Sequence, residues 1–264
     1  MKKAFIFSTI TLIVFTVICM ISGCSNPKPK PEPPLKKARS LISYATPWDW
    51  ASQDSKQFAR ELYKNGLTMT IIEIDFKRDA DFVAKWIKPF RDLGITTEII
   101  LVNWNTKSVI SRPTSDFKKL VDELKVKVGS YLVIWQPVTE PGNRGGDRKK
   151  CEEWMKYGYD NLPGLKSICI KDSWWGQQYK NKANYYEKHL CKEADDKTIY
   201  KGSNKISTND CTPLIGASPN TLYKQAKLYI KYNQNWSAYH SDWNGPVKFD
   251  VERIKAIGRA IAES

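Results

Sequence analysis

Residues 131–141 read YLVIWQPVTEP, and the reading of the fold starts from them. Tyr131 to Trp135 is an unbroken apolar run, as a strand buried on both faces requires. Pro137 lacks a ladder donor, and Glu140-Pro141-Gly142 stops the sheet and opens a loop. A carboxylate therefore stands at the carboxyl end of a buried strand. In parallel β/α architectures that end carries the chemistry.

Outward from this stretch, strand and helix patterns alternate. Strands are expected at 41–45, 67–74 and 96–102, with helices at 54–65, 79–93 and 115–127. Asn65-Gly66 and Gly94 close the first two helices, as helix ends commonly do. Past residue 141 the pattern predicts a helix at 148–159, a strand at 165–171 and a helix at 183–190. A short strand at 198–206 and another at 214–217 follow, then a helix at 219–233, a strand at 236–239 and a helix at 251–262. The total is about eight strands, and the alternation is the signature of parallel βα units. A doubly wound open sheet would alternate likewise. The gathering of polar and aromatic residues after nearly every strand favours a single (β/α)8 barrel over 40–264. No internal repeat and no Gly-rich nucleotide loop is present.

The amino terminus is of another kind. Met1-Lys2-Lys3 precedes an apolar run at 4–21, and small residues follow, as in an export signal. Residues 21–24, ISGC, resemble a bacterial lipobox. That resemblance implies cleavage after residue 23 and acylation of Cys24, a membrane anchor facing the periplasm or cell exterior. Residues 24–39 are rich in proline and lysine and suit an extended spacer. The formal charge is +14, and it stays strongly positive once Lys2 and Lys3 leave with the signal. Such a surface suits anionic partners: lipid head groups, acidic polymers or polysaccharides. Nucleic acid is not expected, because the chain is exported and no helix gathers its basic residues as a groove reader would. Cys151, Cys169, Cys191 and Cys211 remain after the signal, an even number in an exported chain, which points to two disulfides. Cys191 with Cys211 is the favoured pair, leaving Cys151 with Cys169. No pair of cysteines has short ligand spacing and the only histidines are His189 and His240, so no metal and no cofactor is expected.

At Thr139-Glu140-Pro141 the chain resembles the large clan of barrel glycoside hydrolases. There strand 4 ends in Asn-Glu-Pro, and its Glu is the general acid/base. The resemblance implies the acid role for Glu140. It also implies a nucleophilic Glu at the end of strand 7, but 213–218 reads PLIGAS and holds no acid. From the residues themselves, Asp242 is the expected second carboxylate. It shares a strand face with His240, and Trp243 adjoins it. Asp172 and Asp75 stand in reserve. Trp48, Trp50, Asn103, Trp104, Trp174 and Trp175 also fall just past predicted strands, so with Trp243 six of the ten tryptophans collect there. Flat rings beside carboxylates and amides suit a sugar, by stacking on C–H faces and bonding hydroxyls. Glu73, Glu98 and Lys171 lie within predicted strands; turned inward, they need partners. The leading expectation is a surface-tethered, monomeric glycoside hydrolase acting on an extracellular or cell-wall carbohydrate. A catalytically inactive sugar-binding barrel is the alternative. A third is a basic lipoprotein that binds an anionic partner without catalysis.

Overall fold

The computed structural model describes residues 36–45, 54–75, 78–102, 111–140, 147–169, 178–179, 181–190, 192–209, 217–239 and 250–264. Eight strands close into one barrel in sequence order: β1 (Ile42–Ala45), β2 (Met69–Glu73), β3 (Thr96–Ile100), β4 (Val133–Gln136), β5 (Leu165–Cys169), β6 (Tyr185–Leu190), β7 (Lys205–Asn209) and β8 (Asn235–Tyr239). Every adjacent pair is parallel, including β1 with β8, which removes both sheet edges. The expected eight-fold barrel is the observed fold.

Six helices are found among the described residues: α1 (Ser55–Lys64), α2 (Ala80–Asp92), α3 (Thr114–Lys127), α4 (Arg148–Asn161), α5 (Pro219–Lys231) and α6 (Val251–Ala262). Side-chain oxygens of Asp54, Asp79, Asp147, Ser218 and Asp250 accept from first-turn N–H groups of α1, α2, α4, α5 and α6, satisfying donors that have no partner within the helix. Each helix turns an apolar stripe to the outer face of the strands. Ile42, Tyr44, Ile99, Trp135, Ile168 and Trp236 meet Phe58, Phe90, Phe117, Trp154 and Ile257 in that shell. Phe117 stacks on Trp154 and Tyr229 on Trp236, with centroids 5.2 and 5.7 Å apart.

The second half departs from expectation in two places. Residues 185–190 are strand β6 rather than part of a helix. Its inward positions carry Glu187 and His189 while Tyr186 and Lys188 alternate with them, so the polar face is the buried one and the usual pattern is inverted. The seventh strand is Lys205–Asn209, where a short sixth strand was expected. The ring closes with β7 directly beside β8; a further strand was expected at 214–217. Of those four, only Ala217 is among the described residues. Around β6, aromatic and basic side chains supply cover. Tyr179 stacks on Tyr159 at 5.0 Å, and Lys188 and Lys205 both approach the Tyr200 ring.

The expected Cys151–Cys169 disulfide is not formed; both side chains are unbridged thiols, and both are buried. The wall explains it. Cys151 lies on the buried face of α4 in the outer shell. Cys169 alternates with Ile168, which faces that shell, and so turns into the barrel. Cys191 and Cys211 fall outside the described residues.

Candidate active site

The lumen divides into an apolar and a polar part. Ala45, Met69, Ile71, Ile100, Ile206 and Tyr239 form one cluster. The polar part comes from β3 to β7. Register pairs Glu98 of β3 with Ile134 of β4, and Glu187 of β6 with Ile206 of β7. Gln136 Nε2 donates to Glu98 Oε1 at 3.0 Å, to Ser167 Oγ at 3.3 Å and to Glu187 Oε2. Ser167 Oγ also donates to Glu98 Oε1, and Thr208 Oγ1 donates to Glu187 Oε1 at 2.6 Å. All five residues are fully buried. Glu98 thus has two partners at Oε1, while its buried Oε2 has none. Glu73 is half-buried, and Lys171 lies outside the described residues.

The two acids of this layer differ in charge. Burial, and then the neighbouring Glu187, push the Glu98 carboxyl up to about 8. Burial would raise Glu187 too. The positive charge that His189 can carry, its hydrogen bond, and the donors Thr208 and Gln136 outweigh that and hold Glu187 below the usual range. One proton is thereby kept on Glu98, and Glu187 stays ionised. Gln136 between them lets both acids occupy one layer.

Above this layer stands Glu140. It follows β4 by four residues, is 9 % exposed, and has a left-handed backbone with φ of 46°. Asp75, two residues past β2, has φ of 45° and is 4 % exposed. Left-handed backbone at non-glycine residues is costly; of the four such residues described, Asp75 and Glu140 lie just past strand ends at the barrel mouth, whereas Leu132 and Asn233 lie just before β4 and β8. Pro137 approaches Gly158 of α4 so closely that a Cβ there would sit 2.6 Å from the proline Cβ. The backbone leading to Glu140 is therefore wedged against α4. Thr139 beside it is also buried, and its N–H donates to the Val102 carbonyl at 2.9 Å, which ties the turn to β3.

His189, at the end of β6, links Glu140 to the layer below. Its Nδ1 is 3.2 Å from Glu140 Oε1, and its Nε2 is 3.6 Å from Glu187 Oε2. Glu187 is engaged on both oxygens and fully enclosed, so its part is to orient the imidazole rather than to meet a ligand. Cys169 completes the group. Glu140, Cys169 and His189 each offer one donor atom, and the three lie within 4.8 Å of one another. These are donors that a metal ion could take.

Of the residues expected in the site, the structure brings Glu140 and Asp75 to carboxyl strand ends. Asp242, Trp48, Asn103, Trp104, Asp172, Trp174, Trp175, His240 and Trp243 lie outside the described residues, as does Cys24. The four other tryptophans that are described, Trp86, Trp135, Trp154 and Trp236, are all buried in the outer shell. Sequence reasoning missed His189, Glu187 and Gln136, and it assigned Cys169 to a disulfide. Strict alternation of Tyr186, Lys188 and Leu190 against Glu187 and His189 was the available signal for the first two.

No protein-family model matches this chain, and no curated protein does. Solved structures match in fold. An endoxylanase of glycoside hydrolase family 30 from Clostridium papyrosolvens superposes with a TM-score of 0.55 at 10% identity, over 85% of this chain and 72% of its own. A family 30 subfamily 8 xylanase from Clostridium acetobutylicum gives 0.53 at 14% identity, with the same coverage of 85% and 72%. A family 5 glycoside hydrolase from Bacteroides vulgatus gives 0.50 at 10% identity over 76% of this chain. The chain spans 58% of that family 5 protein and 64% of another glycoside hydrolase that it matches. At such identities the likeness is one of fold.

Proposed function

We propose that this chain is an exported, lipid-anchored barrel that hydrolyses a glycosidic bond in an extracellular or cell-wall carbohydrate, with Glu140 as the proton donor. The observation that carries the reading is the setting of Glu140. It is a nearly enclosed carboxylate just past β4, held at the mouth by a left-handed turn and set against His189. The fold it shares with family 5 and family 30 glycoside hydrolases supports the same reading. General acid catalysis needs a carboxyl group positioned and partly desolvated beside the leaving oxygen.

The strand count adds a candidate for the second carboxylate. With β7 at Lys205–Asn209, the residue next in sequence is Asp210, an acid at the strand where the resembling clan has its nucleophile. Asp210 joins Asp242 as a candidate for attack on the anomeric carbon or activation of water. Anchoring through Cys24 and an extracellular location belong to the same proposal, on the strength of the amino-terminal sequence. A binding-only barrel is the second reading. The buried Thr139, where the resembling motif has Asn, favours it.

A panel of labelled oligosaccharides tests both. Glu140→Gln should lower turnover by about 10²-fold or more. Asp210→Asn and Asp242→Asn identify the partner carboxylate. Calorimetric sugar binding without turnover by the unaltered chain selects the binding-only reading. Neither binding nor turnover overturns both.

A further inference from the structure

We propose that Glu140, Cys169 and His189 form a binding site for one borderline-soft divalent metal ion, with zinc the ion their donors suit best. A carboxylate oxygen, a thiol sulfur and an imidazole nitrogen lie within 4.8 Å of one another. Zinc takes this mixture of ligands, commonly with three protein donors and a water in the fourth position. Tetrahedral bonds of about 2.0–2.3 Å place ligand atoms roughly 3.3–3.6 Å apart, so closure around an ion needs only small side-chain adjustment. Glu140 Oε1 and His189 Nδ1 are already at 3.2 Å.

Three further features fit an ion. Cys169 and His189 come from the ends of β5 and β6, and Glu140 from the turn after β4, which the Thr139–Val102 hydrogen bond ties to the wall, so neighbouring parts of one closed wall present them. The second imidazole nitrogen faces Glu187, whose oxygens are fixed by Thr208 and Gln136. That is the carboxylate–histidine support by which proteins orient a metal-bound imidazole. A thiolate and a carboxylate beside a neutral imidazole carry two negative charges, which a dication offsets at the ligands, with ionised Glu187 remaining as the outer partner of His189. Binding forms a metal–sulfur bond and releases the Cys169 thiol proton to solvent. An ion–imidazole pair alone would account for Glu140 and His189 but gives Cys169 no part. The inference stands apart from the glycosidase reading, and it constrains it: a Glu140 bound to an ion has no proton to donate.

The test uses the mature chain, reduced and stripped with a chelator. Cobalt(II) is titrated first, followed by zinc in competition with a chromophoric chelator. One equivalent per chain is expected, with a thiolate-to-cobalt charge-transfer band that zinc displaces. Cys169→Ser should abolish the band, and both it and His189→Gln should weaken zinc binding by about tenfold or more. Cys151→Ser, on the far side of the wall, should change nothing. Zinc-edge X-ray absorption on the unaltered chain gives a readout that needs no variant: one sulfur in a shell of nitrogen and oxygen. Absence of stoichiometric binding, a band surviving in Cys169→Ser, or a shell with no sulfur or several overturns the site. Hydrolysis assays play no part, so failure here leaves the glycosidase reading to its own test.

Discussion

Glu98 is an acid kept as an acid. Its Oε1 accepts from Gln136 and Ser167, and no water reaches it, so ionisation would put a second negative charge next to Glu187. The consequence for stability has a definite sign. A folded value of about 8, above the ordinary 4.5, means that the folded chain holds a proton the unfolded chain has released between those limits. Stability from this group is therefore full below pH 4.5 and is lost as pH rises through about 8. Glu98→Gln keeps the shape and removes the ionisation. Urea midpoints for the variant should fall less than those of the parent between pH 5 and pH 9. At the upper end the variant should be the more stable by roughly 1–3 kcal/mol. Equal pH dependence of the two chains would show that Glu98 does not hold its proton. Glu140 and Asp75 show the complementary arrangement, local backbone strain carried at the mouth by a fold stable enough to hold it.

At the scale of elements, the contact of α4 with the end of β4 governs where Glu140 stands. Gly158 is required there by closeness, since an added Cβ would lie 2.6 Å from one Pro137 carbon and 2.8 Å from another. Gly158→Ala should cost about 1–3 kcal/mol, as overpacking does, and should shift Glu140 along with Pro137. Asp147→Ala removes the side chain that caps α4 and should cost about 1 kcal/mol while leaving that contact intact. Thermal melts of the two variants, with sugar binding or turnover measured alongside, separate the effects. The cap variant loses stability only, and the glycine variant loses both. If Gly158→Ala keeps full stability, α4 is not wedged as described. The first four strands and their helices were legible because apolar stripes, Asp caps and glycine stops agreed in one direction. At β6 and β7 the agreement fails for a physical reason. A lumen lined by Glu187, His189 and Thr208 places polar residues at inward positions, and reading polarity as exposure turns β6 into a helix. That same misreading displaced strand 7. Glu140 was legible because a proline-terminated apolar run marks a strand end by backbone chemistry alone. His189 and Cys169 join it only by lateral adjacency in the ring, which spacing along the chain does not encode.

The closed wall gives the whole molecule an inside and an outside, and thiol chemistry reports on which is which. A disulfide needs Cα atoms within about 7 Å and Cβ vectors that face each other. Cys151 packs on the outer shell through α4, whereas Cys169 turns into the lumen beside His189 and Glu140. On the proposal that the chain is exported, it meets oxidising conditions, and geometry rather than reducing power keeps these two apart. Burial reinforces it at Cys151, whose thiol is pushed far above its usual range and is thus poorly reactive while folded. The chain isolated from an oxidising compartment, unfolded without reductant and alkylated, should therefore show both Cys151 and Cys169 as modified peptides. In the folded state neither should react at an appreciable rate, and both should become available together when the barrel opens, because they flank one cooperative wall. A cross-linked Cys151–Cys169 peptide in the mass spectrum would place both side chains on one side of β5. The lumen assignment of Cys169, and with it the convergence of Cys169 on Glu140 and His189, would then fail.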